Sequence, residues 1–206
     1  MLNYINPIEQ IFVRNENTFY KELKTVIKQA ELVSTEIFSK NKKEFNGIQL
    51  LQCNISEYNV GVNSNIIDFS SNNQSYEIQR EKIVCGEDNE IKAKHRIINI
   101  TYEHEQLSTV IEKQFLNWWE NKIKDIIHSK YGGLNNANEM CQFARQLRNS
   151  FGHSKINITV DIPNQPTWKD INLIHYNGHN IFEVISFADI INFWIEFERV
   201  ELNIEI

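Results

Sequence analysis

The stretch Ala144-Arg145-Gln146-Leu147-Arg148-Asn149-Ser150-Phe151-Gly152-His153 decides how the chain is read. Around it, apolar residues fall at Ala137, Met140, Cys141, Ala144, Leu147 and Phe151. Steps of three and four residues put them on one face of an amphipathic helix. Arg148 and His153 close that helix, five positions apart. On an unbroken helix a five-residue step turns roughly 140°, so the two side chains diverge. Gly152 changes the expectation, because glycine just past a helix end readily takes the left-handed conformation. The chain is then expected to leave the helix at Gly152, with His153 swinging back beside Arg148.

A cation that never titrates, beside a group that titrates near neutrality, suits chemistry at a phosphodiester. Arginine holds a phosphate in a bidentate fork and stabilises developing charge. Histidine exchanges a proton with an RNA 2′-hydroxyl or with the leaving oxygen, and that reaction needs neither a metal nor a cofactor. The ordinary alternative is a helix C-terminus whose Arg and His cap the last carbonyls. The spacing alone is weak. The Asn directly after the Arg, the amphipathic helix before it and the glycine break strengthen it.

The segment Arg148-Asn149-Ser150-Phe151-Gly152-His153 resembles the signature of the HEPN superfamily. Those are small helical proteins, many of them metal-independent ribonucleases of bacterial phage defence and toxin–antitoxin systems. The resemblance implies an active site of Arg148, Asn149 and His153, with two copies meeting across a homodimer groove. It also implies attack of the 2′-hydroxyl on the adjacent phosphate, leaving a 2′,3′-cyclic phosphate and a 5′-hydroxyl. His153 is then the general acid–base and Arg148 the phosphate clamp, while Asn149 orients the histidine or the phosphate. Arg145, one turn before Asn149, extends the basic rim as a substrate-binding residue. RNA is the implied substrate, and an antitoxin or other regulatory protein is a candidate partner. One toxin subgroup of the family carries Tyr two residues after the His. Lys155 stands there instead, which argues against that subgroup and its tyrosine-directed regulation.

At 206 residues the chain is read as one domain, large enough to bury a core. A hydrophobic fraction of 41% excludes a disordered chain, and only three Pro and seven Gly favour long regular elements. The net charge of −6 offers no global field for nucleic acid, so an RNA site must rest on a local patch or on the dimer groove. The same charge favours the rival reading, a non-catalytic scaffold or RNA- or protein-binding module of the same fold. Cys53, Cys85 and Cys141 are too scattered for a disulfide framework or a zinc knuckle. With no signal peptide and no long apolar run, the expectation is a cytoplasmic protein away from the membrane.

Outward from the motif, residues from about Pro7 to Lys40 read as helical, with Asn15-Glu16-Asn17 as a kink or break. The basic run Lys40, Lys42 and Lys43 reads as a solvated helix end. From about 46 to 105, β-branched residues and Asn-rich breaks suggest an inserted antiparallel sheet. Tyr76 to Val84 and Ile91 to Tyr102 are its clearest strands. His95 and His104, an odd step apart, point to opposite faces of the second strand. A strong helix follows from about Gln106 to Lys130, ended by Tyr131-Gly132-Gly133, with the motif helix as its antiparallel neighbour. Of its adjacent Trp118 and Trp119, at most one is expected to face the core fully, and a core or dimer role is favoured over base stacking.

After the motif, residues 156 to 185 read as a β-hairpin about Asn177-Gly178. On that register His175 and His179 fall on opposite faces, and a shared zinc ion is rejected. Ser186 to Asp189 resembles a capping box, with Asp in place of Glu, opening a last amphipathic helix to about Glu201. The expected fold is mainly α (α+β): an up-and-down bundle of about four main helices with small β-hairpin insertions.

Overall fold

A computed structural model describes residues 8–29, 48–51, 56, 58–63, 75–82, 102–153, 155–158, 163–204 and 206. The fold is mainly helical with small β insertions. Its N-terminal part holds strand β1 (Ile8–Arg14), a helix α1 over residues 20–29, and strands β2 (Ile48–Leu51), β3 (Tyr58–Asn63) and β4 (Ser75–Lys82). Helices α2 (Tyr102–Trp118), α3 (Lys124–Tyr131) and α4 (Glu139–His153) follow. The short strands β5 (Thr167–Trp168) and β6 (Ile171–Asn172), helix α5 (Ile181–Val184) and helix α6 (Phe187–Phe197) complete it. No described helix is long and apolar enough to cross a membrane.

The first correction falls on Ile8–Arg14, expected to be helical and found as a strand. Ile8, Ile11 and Phe12 fit a helical period. In the fold, however, Ile11 and Val13 are buried while Phe12 between them is exposed, which is the two-residue period of a strand. Antiparallel pairing of Ile11 with Ile78 and Val13 with Tyr76 on β4 decides between the two. The break at Asn15-Glu16-Asn17 is real, but it separates a strand from a helix. There the Arg14 N–H donates to Asn17 Oδ1 at 2.7 Å and the Asn17 N–H donates back to the Arg14 carbonyl at 3.0 Å.

The sheet runs β1-β4-β3-β2, all neighbours antiparallel. Strands were thus rightly expected near Tyr58–Val62 and Tyr76–Val84, while Ile66 to Phe69, Lys40 to Lys43 and residues 91–101 lie outside the described residues. Tyr102, read as a strand end, instead opens α2, and His104 lies on that helix.

α6 is the axis of the core. Every residue from Phe187 to Phe197 except Glu196 is buried. The expected apolar face of Phe187, Ile190, Ile191, Trp194 and Ile195 is buried, and Asp189 and Asn192 are buried with it, which makes this a central helix. Trp194 stacks on Phe19 of the β1–α1 connection (6.1 Å between centroids) and on Phe115 of α2 (5.9 Å). Phe193 meets Phe143 of α4 and Trp168, each at 5.3 Å. The expected capping box opens the helix: Ser186 Oγ accepts from the Asp189 N–H at 3.1 Å, and Asp189 Oδ2 accepts from the Ser186 N–H at 3.0 Å.

Polar bonds dock the sheet on α6. The Ser56 N–H donates to Asp189 Oδ1 (2.7 Å), and Asn192 Nδ2 donates to the Tyr58 carbonyl (2.7 Å). Arg80, buried over the Tyr58 ring, donates to Asn192 Oδ1 (3.3 Å) and pairs with Glu9. Such groups remain stable in the interior because each charge or amide finds a partner.

α2 passes into α3 through a π-type turn, Trp119–Ile123. Trp118 and Trp119 are both in the core, against the expectation that only one would be. Gly132 ends α3 in the left-handed conformation (φ 65°), as the Gly-Gly pair suggested.

The hairpin about Asn177-Gly178 is a second correction. Residues Leu173–Tyr176 form a 3-10 turn, capped by Asn172 Oδ1 accepting from the Ile174 N–H at 3.0 Å. Asn180 and Glu183 then form a capping box that starts α5. Local caps outcompete the strand propensity of Ile174, His175 and Tyr176. The hairpin within this block is the shorter β5–β6 pair, turning at Lys169-Asp170.

Candidate functional site

α4 carries the motif. Asn138 caps it, its Oδ1 accepting from the Cys141 N–H at 2.9 Å. Over its second half, Ala144, Gln146, Leu147, Ser150 and Phe151 are buried, while Arg145, Arg148, Asn149, Gly152 and His153 are not. Helix periodicity collects those five into one strip, with Arg148 and His153 at its two margins roughly 140° apart.

Gly152 does not break the helix. α4 runs through to His153, and among the described glycines positive φ occurs at Gly132, Gly133 and Gly178 but not at Gly152. The expected swing of His153 back to Arg148 within one chain is therefore corrected: the side chains leave opposite margins of the strip. Hydrogen-bonded helical geometry costs a glycine only entropy, and the packing of Phe151 against Phe115 (5.1 Å) and Phe182 (5.5 Å) holds the last turn helical. A β-carbon built on Gly152 would touch nothing within 4 Å, so the middle of the strip is bare backbone.

Arg148 donates from Nε (2.7 Å) and Nη2 (2.6 Å) to one oxygen, Glu120 Oε1. Glu120 sits in the π-type turn, and its Oε2 accepts from Lys124 at 3.2 Å. Burial tends to raise the Glu120 carboxyl, but the bonds from Lys124 and Arg148 outweigh it and hold the group below its ordinary value. Arg148 Nη1 also donates to Asn149 Oδ1 at 3.3 Å, so the structure brings these two motif residues together. Asn149 Nδ2 reaches Gln146 Oε1 at 3.4 Å, and Arg145 donates to Asn135 Oδ1 at 2.7 Å. Among the described residues, His153 is exposed and its imidazole has no hydrogen-bond partner.

The partner of Arg148 was not visible in the motif: Glu120 is 28 positions away, and only the antiparallel packing of α2 and α4 brings it near. Sequence reasoning also missed an open groove of about 450 Å³ at the far end of α4, lined by Met140, Trp168, Lys169, Glu196 and Val200. There Glu196 accepts from the Trp168 indole (2.9 Å) and pairs with Lys169 (2.9 Å). From Met140 to His153 the helix rises about 20 Å, so the groove is separate from the motif strip. Among the described residues no group of three or more His, Cys, Asp or Glu is placed to hold a metal ion.

Compared with known proteins, the chain matches no family model, no curated protein and no solved structure.

Proposed function

We propose that the protein is a metal-independent endoribonuclease that works through the exposed strip of α4, in a defence or toxin-type stress response. One observation carries this reading: the residues that α4 leaves unburied in its second half are Arg145, Arg148, Asn149, Gly152 and His153, the motif with its basic neighbour and its glycine. Arg148 holds the phosphate, His153 transfers a proton, Asn149 steadies the guanidinium, and Arg145 extends the rim. The 2′-hydroxyl attacks the adjacent phosphate and the 5′-oxygen leaves. Because Arg148 and His153 diverge on one helix, two copies related by a two-fold axis and packed strip to strip pair the Arg of one with the His of the other. Bare backbone at Gly152 lets the two helices approach closely. The likeness of residues 148–153 to the HEPN signature supports the same chemistry, and an antitoxin-like regulator belongs to it.

A second reading, a non-catalytic binding module of this fold, is favoured by the engagement of Arg148 with Glu120 and by the acidic net charge. Incubation of the purified protein with total RNA in EDTA separates the two. EDTA-resistant cleavage, absent from Arg148→Ala and His153→Ala, is the expected result. A wild type that cleaves no RNA, or cleavage that persists in the double variant, overturns the ribonuclease reading. Light scattering that shows an active strict monomer overturns the two-copy site.

A further inference from the structure

Beyond α4 the chain runs alongside a segment distant in sequence. The Ile156 N–H donates to the His179 carbonyl (2.8 Å), and the Gly178 N–H donates to the Ile156 carbonyl (2.7 Å). The Ile158 N–H donates to Asn177 Oδ1 at 3.0 Å. One turn earlier, Phe151 stacks on Phe182, which seats the end of α4 on α5. His153 precedes Ile156 by three residues, a span of at most about 11 Å. Bonded extended chains lie about 5 Å apart, so the backbones of His153 and His179 are within about 16 Å of each other.

His179 is also held as a proton-transfer histidine is held. Its Nδ1 faces Glu183 Oε2 at 3.4 Å, and its ring sits edge-on to Tyr176 with centroids 6.3 Å apart. Glu183 is itself fixed by the capping box with Asn180. With Nδ1 turned to a carboxylate, Nε2 is the nitrogen left to face a substrate, and 43% of the side chain is exposed. Lys155, exposed between the two histidines in the path of the chain, adds a fixed cation to this end of an acidic protein.

We infer that His179, steadied by Glu183, is a second proton-transfer residue of the same RNA site as His153. The inference rests on the ribonuclease reading and deepens it, because the reaction needs two proton transfers and one histidine starts in the wrong form for one of them. One imidazole, unprotonated, takes the 2′-hydroxyl proton as the bond from the 2′-oxygen to phosphorus forms. The other, protonated, gives its proton to the 5′-oxygen as the bond from phosphorus to that oxygen breaks. A proton has moved from one oxygen of the RNA to another, and no oxidant or other reactant is consumed.

Single-turnover cleavage across pH tests this with the full-length wild type, His179→Ala and His153→Ala, with and without added imidazole. His179→Ala is expected to lose about 10²–10⁴-fold, to lose one limb of a bell-shaped pH profile, and to recover in part with imidazole. Only the backbone of His179 joins the ladder with Ile156, so its melting temperature should stay near that of the wild type. In parallel, histidine ring resonances of the wild type titrated with uridine 3′-monophosphate should shift at both His153 and His179. A wild type that cleaves while His179→Ala keeps its rate and both limbs overturns this inference alone. A His179 resonance unmoved by the nucleotide while that of His153 shifts does the same. A wild type that cleaves no RNA overturns the ribonuclease reading and the inference with it.

Discussion

Arg148 places two of its nitrogens, at 2.6 and 2.7 Å, on a single oxygen of Glu120, the position a phosphate oxygen takes in an arginine fork. Both side chains are about one-third exposed, so the pair is solvent-screened and stabilises the fold by no more than about 1 kcal/mol. Its pH dependence has a definite sign. Glu120 ionises below its ordinary value of 4.5, so the contribution is complete above that pH and is lost as pH falls through the folded value. Urea midpoints of the wild type and Glu120→Gln should differ by a constant amount towards neutrality and converge in acid. A difference that grows on acidification would contradict the pairing.

Gly152→Ala reads the backbone directly. Since Gly152 is helical and an added β-carbon meets nothing, alanine should stabilise the protein by about 0.4–1 kcal/mol. Destabilisation by more than that would mean a left-handed glycine after all. Gly152→Leu should likewise not lower the melting temperature, yet should weaken self-association and RNA cleavage, because the strip would no longer admit a close neighbour.

Glu198 tests the interior. It is fully buried in the last turns of the chain, and its Oε1 accepts from the Thr18 N–H (2.7 Å) and the Thr18 hydroxyl. Trp118 Nε1 donates in turn to Thr18 Oγ1 at 2.8 Å. Glu198→Ala strands buried donors and should cost about 2–4 kcal/mol in urea unfolding. Burial raises the Glu198 carboxyl above 4.5, so the advantage of its protonated form is present below that pH and is lost as pH rises through the folded value. Relative to the wild type, Glu198→Gln should therefore gain stability from acid to neutral pH; a flat difference would refute the shift.

Arg148 and His153 should lose activity together. His153→Ala is expected to cost about 10²–10⁴-fold and Arg148→Ala about 3–4 kcal/mol of transition-state stabilisation. Both act on one transition state, so the double variant should fall well short of the product of the single losses. Strictly multiplicative losses in single-turnover cleavage would place them in separate sites.

Cys141 should resist alkylation. Burial, with Glu201 nearby, pushes its thiol far above the ordinary 9.0, so the reactive thiolate is scarce in the folded protein. Peptide mapping after iodoacetamide should find Cys141 modified only once the chain unfolds. Rapid labelling of the native protein would contradict its burial.

Features governed by a few neighbouring residues were legible in the sequence. The three-and-four spacing from Ala137 to Phe151 marked α4 and its buried face, Gly132-Gly133 marked the stop after Tyr131, and Ser186 with Asp189 marked the start of α6. In each, the hydrogen bonds that decide the outcome close within one turn of chain. The fold class followed from them, since long helices interrupted by β-branched stretches leave few ways to bury their faces.

The remainder was settled by contacts between residues far apart in sequence. Ile8–Arg14 satisfies both periods, and the partner strand more than 60 residues away selects the extended one. α6 looks amphipathic alone and is buried all round because the sheet covers one side and α2 with α4 the other. Gly152 has the propensity for a left-handed cap, but the packing of Phe151 between Phe115 and Phe182 outweighs that preference. Glu120 reaches Arg148, and His179 reaches the chain beyond His153, only once two helices and two extended segments have paired. The motif residues were thus readable from sequence, whereas their separation and their neighbours depended on tertiary packing, because local propensities are worth tenths of a kcal/mol per residue and burying an aromatic side chain about 1.5–3.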